Sequence, residues 1–207
     1  MGESITFPSH RVAAHGINPS AVPDPQKLQK YFFREEFQAL KRLRELPVFP
    51  RAECTLLYPG CGVDILTPLL YLNSLFPQLR QATFIFVDKD LPLTTIKAIL
   101  DDVGISFAEH QNSFSFFWNS VLIKVEGITG DIFQLLPALP SYDLYFEKAF
   151  RIMKESDPGY EEKVFARLRP GGLIISDSGF QAVPVERFPI PAELSAYGEM
   201  IFGQKTS

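Results

Sequence analysis

The sequence predicts an α/β fold with a mostly parallel central sheet, helices on both faces and antiparallel strands towards its C-terminal end. Three observations carry that expectation. Short apolar runs recur from Cys54 onward, each bounded by helix punctuation. The first run, CTLLY, leads straight into a glycine turn, PGCG. The most apolar run, GLIISD, follows a helix-breaking RPGG.

Residues 1 to 23 contain Pro8, Pro19 and Pro23 and show no sustained period, so they read as an irregular arm. Asp24-Pro25 is a helix start, because Asp can cap free amides and Pro suits the first helical position. The helix is expected to run to Leu46 and stop before Pro47, with Leu28, Phe32, Leu40 and Leu43 near one face. This divides the chain into an N-terminal arm and helix, residues 1–50, either part of the same domain or a lid, and an α/β domain, residues 51–207.

Beyond CTLLY, Thr67-Pro68 starts a short helix that ends by Pro77. ATFIFVD is the second strand, and a helix from Asp90 and Pro92 ends at Gly104, a left-handed cap. VLIKVEG and YDLYFE are further strands; Asp157-Pro158 opens a helix through Leu168, and GLIISD follows. The tract ISFAEHQNSFSFFWNS alternates apolar and polar residues, and Asn119-Ser120 forms the turn of a hairpin before VLIKVEG. AVPVERF and AYGEMIFGQK read as two last strands. Only a short tract separates GLIISD from AVPVERF, so that connection has no crossover helix and implies an antiparallel neighbour or another sheet.

The bulk numbers exclude several classes. With 207 residues, 46% hydrophobic and 21% charged, the chain fits one soluble globular domain. A net charge of −4 gives no nucleic-acid signal and no general attraction to acidic membranes. No run is long and apolar enough for a membrane span, and the first residues lack a secretory pattern. Cys54 and Cys61 make no disulfide framework and lack metal spacing, which points to a reducing, cytoplasmic setting. His10, His15 and His110 are scattered, so no metal site is expected.

Four places, in order, resemble the class I S-adenosylmethionine-dependent methyltransferase superfamily, a Rossmann-like group. They are YPGCGVD after the first strand, FIFVDKD closing the second, GITGDIF after the third, and LRPGGLIISD entering the fifth. The likeness spans about residues 52 to 205. It implies S-adenosyl-L-methionine as cofactor and methyl transfer to an acceptor, expected to be a small molecule; the sequence leaves the oligomeric state unknown. It assigns cofactor contacts to Tyr58, Gly60, Cys61, Gly62 and Asp64 in the glycine loop, to Asp88 and Lys89 after the second strand, and to Asp131 and Ile132 after the third.

The chemistry fits those types. Glycines allow close backbone approach. A carboxylate at a strand end can accept from both ribose hydroxyls, the expected role of Asp88. Such contacts lie at the carboxyl ends of strands in open α/β sheets. Each residue also has a structural role open to it. The glycines can serve only a tight turn, Asp88 can simply end a strand, and Asp131 can cap DIFQLL.

The glycine loop is atypical. Tyr58 stands where the family has an acidic residue, and a phenol carries no negative charge at neutral pH. Asp64 replaces the third glycine, either meeting the cofactor's ammonium group or capping the next helix. On the acceptor side, Glu147 is the catalytic candidate, with a surface ion pair to Lys148 or Arg151 as its alternative; Asp177 is weaker. YFEKAF lacks the Asn/Asp-Pro-Pro-aromatic signature of nucleic-acid amino methylases and the acidic signature of polyamine synthases. The aromatic residues Phe114, Phe116, Phe117 and Trp118 either wall a substrate pocket or form core. A non-catalytic Rossmann-like binding protein is the competing reading. A nicotinamide enzyme is disfavoured by Ile65 at the last glycine of its fingerprint.

Overall fold

A computed structural model of the chain describes residues 4–194 and 201–206. The strands are β1 Glu53–Pro59, β2 Gln81–Asp88, β3 Phe107–His110, β4 Ser113–Trp118, β5 Val121–Thr129, β6 Tyr142–Glu147, β7 Leu168–Ser176, β8 Val185–Arg187 and β9 Ile201–Lys205. The α-helices are α1 Pro25–Leu28, α2 Arg34–Leu40, α3 Leu66–Leu75, α4 Leu93–Asp102, α5 Ile132–Leu135, α6 Arg151–Lys154 and α7 Tyr160–Arg167. The sheet order is β3-β4-β5-β2-β1-β6-β7-β9-β8. β1 pairs with β6 and β6 with β7 in parallel, whereas β9 is antiparallel to both β7 and β8. The strand joined to β7 without a crossover, β8, lies in the same sheet with β9 between the two, so it is antiparallel to its neighbour β9 and runs parallel to β7. Of AYGEMIFGQK, residues 196–200 lie outside the described residues, and the rest is β9.

The chain divides into two compact units. One comprises Met1–Glu53, Val63–Thr83 and Pro92–Gly127; the other comprises Cys54–Gly62, Phe84–Leu91 and Ile128–Ser207.

In the first unit the expected helix from Asp24 to Leu46 is broken. Asp24 caps α1 by accepting from Gln26 and Lys27 N–H, as its type predicts. The chain then turns extended at Phe32, which buries its ring and stacks on Phe37 at 5.7 Å. Burial of an aromatic ring outweighs continuation of the helix. Leu28, Phe32, Leu40 and Leu43 are all buried, so the periodicity identified the inward face without the break. The arm is held by His15 N–H donating to Phe107 carbonyl, Asp24 N–H to Val103 carbonyl, and Tyr31 hydroxyl to Asp102. Asn119 and Ser120 take φ of 48° and 68°, the two left-handed residues that a tight β4–β5 hairpin turn needs. Phe114, Phe116 and Trp118 are buried core, whereas Phe117 between them is half-buried.

In the second unit the core gathers Leu57, Val87, Leu136, Tyr142, Tyr145, Phe150, Tyr160 and Ile174. The expected helix through Leu168 ends one residue earlier, and RPGG lies inside β7. There the pairing slips from Tyr142↔Leu168 to Leu144↔Leu173, a bulge that Gly171 makes possible at φ +69°. Helix α7 is closed by Lys205 of β9, whose ammonium donates to the carbonyls of Phe165 and Leu168. Among the described residues, no helix is long and apolar enough to cross a membrane, and no group of three His, Cys, Asp or Glu is placed to hold a metal ion.

Candidate functional site at the strand ends

The second unit brings together Gly60, Gly62, Asp88, Lys89, Asp131 and Ile132 at the carboxyl ends of β1, β2 and β5. β1 runs out at Pro59, and Gly60 donates its N–H to the Val87 carbonyl at 2.8 Å, extending the sheet ladder by one rung. Gly60 and Gly62 have φ of +59° and +51°, in the left-handed region that glycine enters without a Cβ penalty. A Cβ at Gly62 would meet nothing within 4 Å. A Cβ at Gly60 would lie 2.8 Å and 2.9 Å from two ring carbons of Phe150.

Asp88 ties the turn to the strands. Its Oδ2 accepts from Gly62 N–H at 2.9 Å, its Oδ1 accepts from Asp90 N–H at 3.2 Å, and its carbonyl accepts from Gly130 N–H at 2.9 Å. A carboxylate offers about four lone-pair positions. The two backbone donors leave acceptor capacity on both oxygens of a half-buried side chain.

Asp131 has two local duties. It caps α5 by accepting from Phe133 N–H at 3.1 Å, and it pairs with Lys89 Nζ at 3.2 Å. Lys89 is 72% exposed, so that pair contributes little to stability. Ile132 is buried. In the first unit, Asp64 accepts from Thr67 N–H at 3.0 Å and closes the first turn of α3. The capping contact that the sequence offered for Asp64 is thus made.

Tyr58 and Cys61 are buried. The Tyr58 ring meets Phe86 and Phe146 edge-on, with centroids 5.7 Å and 4.9 Å away. Position 58 is thus filled by core packing.

Glu147 is not the surface residue that pairing with Lys148 or Arg151 implied. It is buried at the end of β6, and four side chains donate to it. Tyr145 hydroxyl reaches Oε2 at 2.6 Å; Lys154 Nζ, Ser178 Oγ and Ser176 Oγ reach Oε1 at 2.8, 2.6 and 2.5 Å. Lys154 also donates to the Gly179 carbonyl and sits 4.5 Å from the Phe180 ring centroid. Tyr145 hydroxyl lies 3.1 Å from that of Tyr160. Burial, and then the Glu147 charge, push the Tyr145 phenol far above its ordinary range, so it stays a donor. A carboxylate holding four donors is poorly suited to take a proton from an acceptor. The sequence signal for this cluster was Ser176 within GLIISD and Ser178 just after it, which nothing in the pattern connected to Glu147.

One turn on, Ala149 takes φ +55°, unusual for a residue with a Cβ. Both Asp177 oxygens accept its N–H at 2.9 Å. Burial raises the Asp177 pKa from its ordinary 3.8; the Ala149 amide opposes this, the Glu147 charge adds to it, and Lys148 opposes it. A carboxyl whose folded pKa exceeds its unfolded one costs stability when ionised. That cost is absent below 3.8 and grows as pH rises through the raised value. The melting temperature of the wild type relative to Asp177→Asn should therefore fall as pH rises from about 4 through the raised value and level off above it. A difference that does not change with pH would contradict this.

No family model matches the chain, and no curated protein matches it. Solved structures do. An O-methyltransferase of tomaymycin synthesis from Streptomyces achromogenes, in complex with S-adenosylmethionine, is 16% identical over 76% of this chain and 56% of its own, with a TM-score of 0.37. A Bacillus cereus O-methyltransferase in complex with S-adenosylhomocysteine is 14% identical over 82% and 59%, with a TM-score of 0.38. A Silicibacter pomeroyi S-adenosyl-L-methionine methyltransferase is 14% identical over 81% and 88%, with a TM-score of 0.44. The chain thus spans under two thirds of the length of the first two. Taking the strands from β1 onward and setting aside the β3–β4 addition, the sheet runs third, second, first, fourth, fifth, then the last strand antiparallel, then the sixth. With its glycine turn after β1 and its carboxylate closing β2, the chain has a Rossmann-like α/β fold.

Proposed function

We propose that the protein is an S-adenosylmethionine-dependent methyltransferase acting on a small-molecule acceptor. The observation that carries this reading is Asp88, a carboxylate at the end of β2 that braces the glycine turn through Gly62 and keeps acceptor capacity to spare. The residues fit the cofactor along this edge. Asp88 would accept from the ribose hydroxyls, Gly62 would allow close backbone approach, and Asp131 with buried Ile132 would line the adenine side. When bound, the cofactor supplies a methyl group on a positively charged sulfur.

What the chain itself contributes is orientation. Methyl displacement gains most from holding the acceptor in line at near-attack distance, and a general base is an addition to that. Glu147 is saturated by four donors, so in this reading it braces the β6–β7 strand ends rather than deprotonating the acceptor. The same saturation favours a second reading, a Rossmann-like binding protein without transfer chemistry.

Calorimetry with S-adenosylmethionine and S-adenosylhomocysteine separates these from a protein that binds neither. Binding of both, followed by transfer of labelled methyl to a member of a phenol, amine and carboxylate panel, is the expected result. Silence at millimolar ligand would end the methyltransferase reading. Binding without transfer to any member would favour the second.

A further inference from the structure

Phe150 stands on Gly60. The space a glycine leaves free is the space a side chain would have filled, and here two ring carbons lie 2.8 Å and 2.9 Å from that point. The close approach that Gly60 permits is therefore taken by the protein's own ring. Phe150 is buried, and its ring stacks on Phe133 with centroids 6.2 Å apart and packs on Tyr160 at 5.8 Å. It is delivered by the strained Ala149, whose left-handed N–H is held by both Asp177 oxygens. Immediately beyond, Ile152 and Met153 on the four-residue α6 are 82% and 48% exposed, so burial does little to hold that stretch between Phe150 and Lys154.

We propose that residues 148–153 form a latch over the glycine turn. In the closed state Phe150 covers Gly60; in the open state Ala149 leaves the left-handed region, Phe150 withdraws, and the cofactor gains the face of Gly60. This rests on the cofactor reading given above. It adds that the binding-competent state is a minor one. A protein competent only a tenth of the time binds about tenfold more weakly than its open state does. The strain at Ala149 is what keeps the two states close in energy, because left-handed backbone is disfavoured for a residue with a Cβ.

The test is calorimetry with S-adenosylmethionine on wild type, Phe150→Ala and Ala149→Gly, with melting temperatures measured on the same ligand-free samples. Phe150→Ala should melt lower yet bind about tenfold tighter, since the cover is gone. Ala149→Gly should melt higher and bind about threefold more weakly, since glycine relieves the closed turn. A purely structural Phe150 would lose affinity and melting temperature together, and that result overturns the latch, as does unchanged affinity in either variant. If Phe150→Ala fails to fold, Ala149→Gly alone decides. Binding by wild type with no change in the variants overturns the latch and leaves the cofactor reading standing. Absence of binding in all three overturns both.

Discussion

Asp88→Asn should leave the ligand-free protein folded and weaken S-adenosylmethionine binding by about ten- to a hundredfold. The estimate follows from losing hydrogen bonds to a charged acceptor, each worth about 1.5–3 kcal/mol. An Asn oxygen can still accept from Gly62 N–H, now made at 2.9 Å to Oδ2, so the turn keeps its brace. What is lost is the second acceptor oxygen and the charge that would meet the ribose. Asp88→Ala also removes the brace, so it should lower both the melting temperature and the ligand-induced shift. In wild type that shift corresponds to about 2.7 kcal/mol at a hundredfold excess of ligand over Kd. Titration calorimetry with thermal unfolding checks both variants. Equal affinity in Asp88→Asn and wild type would remove Asp88 from the site.

Lys154→Met should destabilise the fold by about 3–5 kcal/mol. Lys154 and Glu147 are 8% and 0% exposed, and their charges meet at 2.8 Å. Removing the ammonium leaves buried Glu147 with the neutral hydroxyls of Tyr145, Ser176 and Ser178, and also ends the 3.5 Å pair between Lys154 and Glu161. Breaking such a pair costs far more than the pair is worth in place, because an uncompensated buried charge remains. Combining Lys154→Met with Glu147→Gln should therefore recover much of the loss, since an amide can still accept from the hydroxyls. Urea unfolding of the three proteins gives the comparison. A double variant no better than Lys154→Met would mean that the two charges are not coupled.

The sequence was most legible where local chemistry and tertiary demand agreed. Asp24, Asp131, Gly104 and the Asn119-Ser120 turn do what their types predict, because caps and tight turns are settled within a few residues. The alternation of strands and helices, and the glycine turn at the end of β1, were readable for the same reason. The helix from Asp24 to Leu46 was misread because the burial of Phe32 decides its path, and burial is not local. The surface ion pair open to Glu147 was misread on the same ground: its partners Lys154, Ser176 and Ser178 are brought to it only by the fold. Ala149 gives no sign of its left-handed backbone, since alanine is not a residue that invites it. The candidate cofactor edge was thus visible as a set of strand-end residues, while the ring covering Gly60 was not.

The position of β9 has a consequence for how the chain acquires its shape. Among the described residues it is the final strand in sequence, yet in the sheet it lies between β7 and β8. Among the described strands β8, only three residues long, bonds to β9 alone, so it has no template until Ile201–Lys205 arrives. The same segment brings Lys205 to the free carbonyls at the end of α7. During synthesis, then, this side of the sheet stays open until some thirty residues after β7 have left the ribosome, with the edge of β7 exposed to other chains in the interval.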